Sequence, residues 1–395
     1  MSRTPVRSVR PGRALARILS LASFASLASL VACAPPPSAE TAPAPTPAPP
    51  VAAPPAPPPP GSSGWTGEWR TATPGEAGLE PERFVAAVEE ARSLSRVRSL
   101  IVLRDGAAVH ESHAPGASNA PHNMKSASKG VISALVGIAV ELGLIELDQP
   151  VADFFPEILG AARDGRARIR IWHLLTMTSG LESTSFRNYG AWAASPDPVR
   201  HALTRDLIAE PGERFRYSTG NTHVLSAVLT RASGISTREL AMRHLFGPMG
   251  IEPGGWDRDP NGIYLGGNNL ALRPRDMAKL GQLYLDRGRW GDRQLVPWRW
   301  VDASVESITA GWPSRYGSYG MLWWLRPPPE DGAFTAIGFG GQYVYVDPGA
   351  GMVVVVTSTH EAKSRDWERR LFAAIRAMTS SVVEREAVAP SRSDR

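Results

Sequence analysis

The stretch Asn123 to Gly143, NMKSASKGVISALVGIAVELG, places a serine and a lysine three residues apart at the start of an apolar helix. Three residues are nearly one helical turn, so Ser126 and Lys129 fall on one face. Val131, Ile132, Leu135, Ile138 and Leu142 recur beside them at helical spacing, which predicts a helix packed into a core. The chain holds four lysines against 39 arginines, and two of the four, Lys125 and Lys129, lie in this window. A lysine desolvated on a central helix has a lowered pKa and can accept a proton, whereas an arginine stays protonated. The helix dipole at Ser126 favours a developing negative charge. The pair therefore reads as a nucleophile with its proton acceptor. Taken alone, Ser-x-x-Lys is better read as a capping serine and a solvated lysine, so the rest of the chain has to decide.

The chain ahead of this helix divides by composition. Residues 1–32 read as a signal: five arginines and no acid up to Arg17, then the apolar run ILSLASFASLASLVA, too short for a membrane span. Leu30-Val31-Ala32-Cys33 resembles a bacterial lipobox, with Cys33 as the lipidated first residue of the mature chain. The alternative is an ordinary secretory signal with a chance cysteine. Residues 33–64 form a Pro/Ala-rich tether with 14 prolines in the 27 residues from Ala34 to Pro60. Proline removes backbone donors, so the tether is an extended spacer of roughly 80 Å at ~3.1 Å per residue. These features imply a membrane partner through a lipid anchor and a place in the bacterial cell envelope, as a periplasmic or outer-membrane lipoprotein. Cys33 is the only cysteine, which excludes a disulfide framework and a thiol nucleophile. The net charge of +5 comes from the five signal arginines; without them 38 basic residues face 38 acidic ones. The basic pI is thus no sign of a nucleic-acid partner.

The remainder, residues 65–380, reads as one large domain, with 381–395 as a disordered tail. PERFVAAVEEARSL predicts an amphipathic helix with Phe84, Val85, Val88 and Ala91 on one side. SLIVLRDGAAVHES predicts two strands joined at Asp105-Gly106. From about Ser126 to Arg243 the pattern is mostly helical, and RPRDMAKLGQLYLDRGRW adds another amphipathic helix closing at Gly288. GAFTAIGFGGQYVYVDPGAGMVVVVTS predicts two strands turning at Asp347-Pro348-Gly349. A last helix presents Trp367, Leu371, Ile375 and Met378 at helical spacing. Strands at both ends and helices between them predict an α/β protein of the α+β type: an antiparallel sheet flanked by the terminal helices, with a mostly helical lobe inserted. A cleft between two such lobes is a natural place for a site.

Further motifs favour the catalytic reading. Tyr217 in FRYSTGNTHVL ends an extended turn just before a helix, and the glycines of FTAIGFGGQYVYV allow close approach of a ligand to backbone. The ordered set Ser-x-x-Lys, HLLTMTSGL, Tyr-Ser-x, PRDMAKLG and a glycine-rich late strand resembles the class C β-lactamases and penicillin-binding-protein-like serine hydrolases. It is most similar to the branch of nylon-oligomer (6-aminohexanoate-dimer) hydrolases and related esterases, from about Gly64 to Met378. The resemblance implies a β-lactamase/transpeptidase-like fold, with Ser126 as nucleophile, Lys129 as its partner and Tyr217 sharing proton transfer. It places the third motif on Ala336-Ile337-Gly338 and an oxyanion hole on the N–H groups of Ser126 and Phe339. Two departures stand out: Tyr217-Ser218-Thr219 replaces Tyr-x-Asn, and Ala336 replaces the usual cation. Both remove contacts that a β-lactam would use.

Thr219, Gly338, Tyr189 and Trp192 are the candidate cleft residues. The eight histidines, His110 and His113 among them, lack a zinc spacing and read as structural. His173 reads as locally bonded, and the twelve tryptophans as core and cleft walls. The expected activity is hydrolysis of a small-molecule ester or amide through an acyl-enzyme, with no metal and no organic cofactor. The alternatives are β-lactamase or D-Ala peptidase activity, and a catalytically silent module that binds peptidoglycan peptide or another ligand.

Overall fold

The computed structural model describes residues 70–308, 317–325, 332–362 and 364–383. The signal, the tether and Cys33 lie outside the described residues, as does most of the assigned tail. Among the described residues an eight-stranded sheet runs in the order Arg70–Thr71, Ala107–His113, Val97–Arg104, Met352–Ser358, Gln342–Asp347, Phe334–Gly338, Trp324–Leu325 and Ser318–Tyr319. Every neighbouring pair is antiparallel except the short first strand, which lies parallel to Ala107–His113. The hairpin expected at Asp105-Gly106 is present: both residues have positive φ, and Arg104 pairs with Ala107. At the centre of the sheet Met352–Ser358 pairs with Val97–Arg104, which joins the two ends of the domain.

Alternation along these strands builds two cores. Ile101, Leu103, Val344, Val346, Val353 and Val355 point into a large cluster shared with the helical lobe. Leu100, Val102, Tyr343, Tyr345, Val354 and Val356 point the other way, onto the helices Pro81–Ser93 and Arg365–Thr379. A period of two sends successive side chains to opposite faces, so both faces are covered. The last helix buries Trp367, Leu371, Ile375 and Met378, as its spacing predicts. Beyond it, Val382 bridges to Leu79, and the Val383 N–H donates to the Gly78 carbonyl at 2.9 Å. Residues 381–383, expected to belong to the tail, pack with the domain.

Four local expectations need correction. The glycine-rich segment forms three strands, not two, because Gly340 and Gly341 take φ of 80° and 88° and turn the chain between Phe334–Gly338 and Gln342–Asp347. Val85 is 46% exposed, and Ala87 takes its place on the buried face with Phe84, Val88 and Ala91. Leu142 is also exposed, since the central helix ends at Glu141 and Leu142 lies in the closing turn. That central helix, Lys129–Glu141, is buried on every side from Lys129 to Ala139 rather than along one stripe. It packs between the sheet and the helix Thr219–Ser233. The helix predicted around PRDMAKLG spans Pro274–Leu285, and Gly288 turns the chain just after it.

Candidate active site

Ser126 sits in a single tight turn, Lys125–Ser128, that feeds directly into the central helix. Asn123 holds this turn: its Oδ1 accepts the Lys125 N–H at 2.8 Å, and its Nδ2 donates to Asn269 Oδ1 at 3.1 Å. The end of the strand Phe334–Gly338 supports the turn from the sheet side. A Cβ on Gly338 would stand 2.1 Å from the Met124 carbonyl, so only glycine lets the strand approach so closely. This contact puts Phe339 on the wall of a cavity of about 470 Å³ that also contains Ser126.

Lys129 lies one turn on. Its Nζ donates to Ser126 Oγ at 3.0 Å and to the Gly267 carbonyl at 2.7 Å. The side chain is 2% exposed, and burial draws its pKa down from 10.5 to about 7. Among the described residues no carboxylate pairs with it. Burial without a counter-charge favours the free amine. A neutral amine in contact with a hydroxyl can accept the proton of that hydroxyl as it attacks.

Tyr217 approaches from the helical lobe. The Lys129 nitrogen lies 5.1 Å from the centre of its ring. Trp324, on a strand near the sheet edge, stacks against Tyr217 with centroids 5.7 Å apart and planes tilted 25°. Tyr319 meets it edge-on at 6.2 Å. The segment Ser183-Thr184-Ser185 braces the backbone around the tyrosine: Ser183 Oγ donates to the Tyr217 carbonyl at 2.7 Å, and Ser185 Oγ accepts the Thr219 N–H at 2.8 Å. Thr184 Oγ1 accepts the Gly220 N–H at 2.7 Å. Short hydroxyl side chains are suited to pairing with backbone groups at a helix start.

The loop that carries Gly267 is held from behind by a fully buried pair, with His223 Nε2 2.9 Å from Asp259 Oδ2. Burial pushes the Asp259 carboxyl up, but hydrogen bonds from His223 and from the Ile263 and Asn261 N–H groups outweigh it and hold the pKa below the usual value.

Most of the expected site residues share one cavity, lined by Ser126, Thr219, Tyr189, Tyr217 and Phe339 among others. Trp192 does not line it. It is 1% exposed, stands behind Tyr189 with ring centroids 5.6 Å apart, and donates its Nε1–H to the Pro198 carbonyl. Gly338 lies under the wall rather than on it. His173 is locally bonded as expected, accepting the Arg170 N–H at 3.1 Å. His110 and His113 bond to serines nearby, and among the described residues no cluster of His, Cys, Asp and Glu could hold a metal.

Sequence reasoning missed Asn268 and Gly267. Asn268 is buried, lines the cavity and bonds to the Tyr189 hydroxyl. The run Gly266-Gly267-Asn268-Asn269 was the available signal, since paired glycines beside asparagines mark backbone that passes close to something else. The third-motif position, Ala336, is buried in the large core and presents no charge.

The family model described as Beta-lactamase matches residues 86–377. The chain belongs to the beta-lactamase family. Within it, the chain is 25% identical over 295 residues to the 6-aminohexanoate-dimer hydrolase of Paenarthrobacter ureafaciens, covering 68% of this chain and 74% of that one. Among solved structures it resembles a Bacillus anthracis protein described as a candidate 6-aminohexanoate-dimer hydrolase, with a TM-score of 0.69 and 22% identity over 79% of this chain and 87% of that one. It also resembles a family VIII carboxylesterase, with a TM-score of 0.59 and 17% identity over 76% of this chain and 99% of that one. The expected β-lactamase/transpeptidase-like fold is therefore present, and the protein is a beta-lactamase-family serine hydrolase.

Proposed function

We propose that this protein cleaves small esters or amides through an acyl-enzyme on Ser126. The observation that carries the reading is Lys129, a buried amine with a lowered pKa whose nitrogen lies 3.0 Å from Ser126 Oγ. In the first half-reaction Lys129 takes the proton from Ser126 Oγ, with Tyr217 sharing the transfer, and Oγ adds to the carbonyl carbon. The N–H groups of Ser126 and Phe339 stabilise the oxyanion, each worth roughly 3 kcal/mol in sites of this type. As the tetrahedral intermediate collapses, the proton passes to the leaving alcohol or amine. Water, activated by the same base, then releases the acid and restores Ser126. No step calls for a metal or an organic cofactor.

Hydrolysis of linear esters or amides is favoured over β-lactam cleavage. Thr219 occupies the place of the motif asparagine, with its Oγ1 2.9 Å from Ser185 Oγ, and Ala336 occupies the place of the motif cation. Polar groups of a bound β-lactam left unpaired cost ~1–3 kcal/mol each. The 6-aminohexanoate-dimer hydrolase relative supports an amide substrate, and the esterase neighbour an ester. The test compares kcat/KM for p-nitrophenyl acetate and butyrate with that for nitrocefin and a penicillin. A fluorophosphonate should add one adduct by intact mass, lost in Ser126→Ala. Efficient penicillin turnover without esterase activity would restore the lactamase reading. A folded protein that takes no adduct and turns over nothing would favour the silent binding module.

The same proposal places the enzyme at the bacterial cell envelope, as a lipoprotein acylated on Cys33 and held off the membrane by its proline-rich tether. One fatty chain anchors only weakly, so lasting attachment needs more than one. Cys33→Ser should move the protein from the membrane to the soluble fraction. A wild-type protein found entirely in the soluble fraction overturns the anchor.

A further inference from the structure

Lys125 is a cavity-lining residue that the acylation chemistry leaves unused. Its backbone has φ of 51°, in the left-handed region where glycine or asparagine is the usual choice and a long side chain is uncommon. The turn imposes this conformation: the Lys125 N–H donates to Asn123 Oδ1, and the Lys125 carbonyl accepts from Ser128 Oγ, each at 2.8 Å. At a position suited to glycine, the chain carries an ammonium group on a flexible stem, half-buried and adjacent to Ser126.

The charge balance of the cavity gives this side chain a purpose. None of the residues lining the cavity is acidic, and among the described residues no carboxylate pairs with Lys125. The other lysine of the site is no substitute, because Lys129 is buried and bonded to Ser126 and the Gly267 carbonyl. Much of the rest of the wall is aromatic, from Phe186, Tyr189, Tyr217 and Phe339, and Phe186 and Phe339 are 79% and 58% exposed at the rim. A substrate that satisfies both features has an apolar body and one negative charge.

We propose that Lys125 determines substrate specificity by pairing with a carboxylate, so that the preferred substrates are monoanionic esters or amides with an apolar chain. This rests on the acyl-enzyme reading of Ser126 and deepens it. Charge-assisted hydrogen bonds to carboxylate are the strong ones, and this one forms in a partly desolvated cavity. The cation comes from the turn beside Ser126 rather than from the strand position at Ala336, so a carboxylate held here lies elsewhere than in an enzyme that carries the motif cation.

The experiment uses matched ester pairs. On the acyl side, p-nitrophenyl hydrogen glutarate is compared with p-nitrophenyl valerate. On the leaving-group side, 4-acetoxybenzoate is compared with 4-acetoxybenzamide. The expected result is a ratio of kcat/KM, anionic over neutral, of about tenfold in at least one pair, shrinking as salt is raised. The ratio should fall to near one in Lys125→Gln and below one in Lys125→Glu. Lys125→Asn, suited to positive φ, serves where the glutamine variant folds poorly. Because the ratio cancels any general loss of activity, it reports the charge contact alone. Ser126-dependent turnover of the neutral esters with no anionic preference, or a preference that survives all three variants, overturns the inference and leaves the hydrolase reading standing. A folded protein that takes no fluorophosphonate adduct and turns over no ester or amide overturns both.

Discussion

Gly267 offers its carbonyl to Lys129 Nζ at 2.7 Å, and a methyl group on Gly267 would stand 2.9 Å from that same nitrogen. The acceptor can approach the amine because it has no side chain. The added carbon would also lie 2.3 Å from Thr222 Oγ1, so the loop could not keep its place. Gly267→Ala should lower kcat about a hundredfold, the typical cost of misplacing a catalytic group by an ångström. The overpacking should also cost ~1–3 kcal/mol of stability. Steady-state kinetics beside a thermal melt would check this, and a lowered Tm with unchanged kcat would show that the carbonyl does not position Lys129.

The lowered pKa of Lys129 has a signature in stability. Between about 7 in the folded protein and 10.5 in the unfolded chain, the unfolded state binds one more proton. Stability therefore gains ~1.4 kcal/mol per pH unit from this group as pH rises across that window, and its contribution is flat below it. Compared with wild type, Lys129→Met should be more stable at pH 7, by a margin that shrinks steadily towards pH 10. Urea titrations of both proteins at several pH values would show it, and a constant margin would contradict the depressed pKa. In kinetics, kcat/KM should rise with pH through about 7 as the amine loses its proton.

Ser126→Ala should fold normally and take no fluorophosphonate, since Ser126 is only half-buried and its hydroxyl contact is with the lysine. Lys129→Arg should lose roughly two to four orders of magnitude in kcat, the range attributed to a positioned acid–base. Wild-type hydrolysis by the arginine variant would remove lysine from proton transfer.

Trp324 holds Tyr217 from the sheet side through a stacked contact. Trp324→Leu keeps an apolar side chain there and removes the flat surface. Turnover should fall roughly tenfold through kcat, since a tyrosine free to swing leaves its reactive geometry. The decrease should be smaller in Trp324→Phe, which restores a ring. Equal kcat in both variants and wild type would show that the stack is packing only.

The parts of this protein that were legible in the sequence are those written in short-range pattern. Helical spacing puts Ser126 and Lys129 on one face, but it is the ordered set of motifs along the chain that marks the pair as a site; the hairpin at Asp105-Gly106 is legible because its turn needs positive φ. Less was legible where distant segments meet. The pair Gly266-Gly267 marks a close approach of backbone to something, but not that a lysine 138 residues earlier is what needs the carbonyl. The serines and threonine at 183–185 look like any polar loop until they meet the backbone around Tyr217. Trp192 and Tyr189 looked equivalent because aromatic residues in a loop carry no mark of depth. The three strands at 334–358 looked like two because a glycine pair reads as flexible strand unless its φ values are known.

The pairing of Met352–Ser358 with Val97–Arg104 sets the order in which the enzyme can be assembled. A ribosome would have released the serine, the lysine and the tyrosine long before the strand that completes the sheet. Until then the Met124 carbonyl has no Gly338 beneath it, and the Ser126 turn has no floor. Pairings so far apart in sequence close slowly, because loop entropy is lost before any contact compensates for it. A nascent chain would thus carry Ser126, Lys129 and Tyr217 before it holds the strands Phe334–Gly338 and Met352–Ser358 that brace them. Until those strands are made, the serine and its lysine lack the floor that holds them in register.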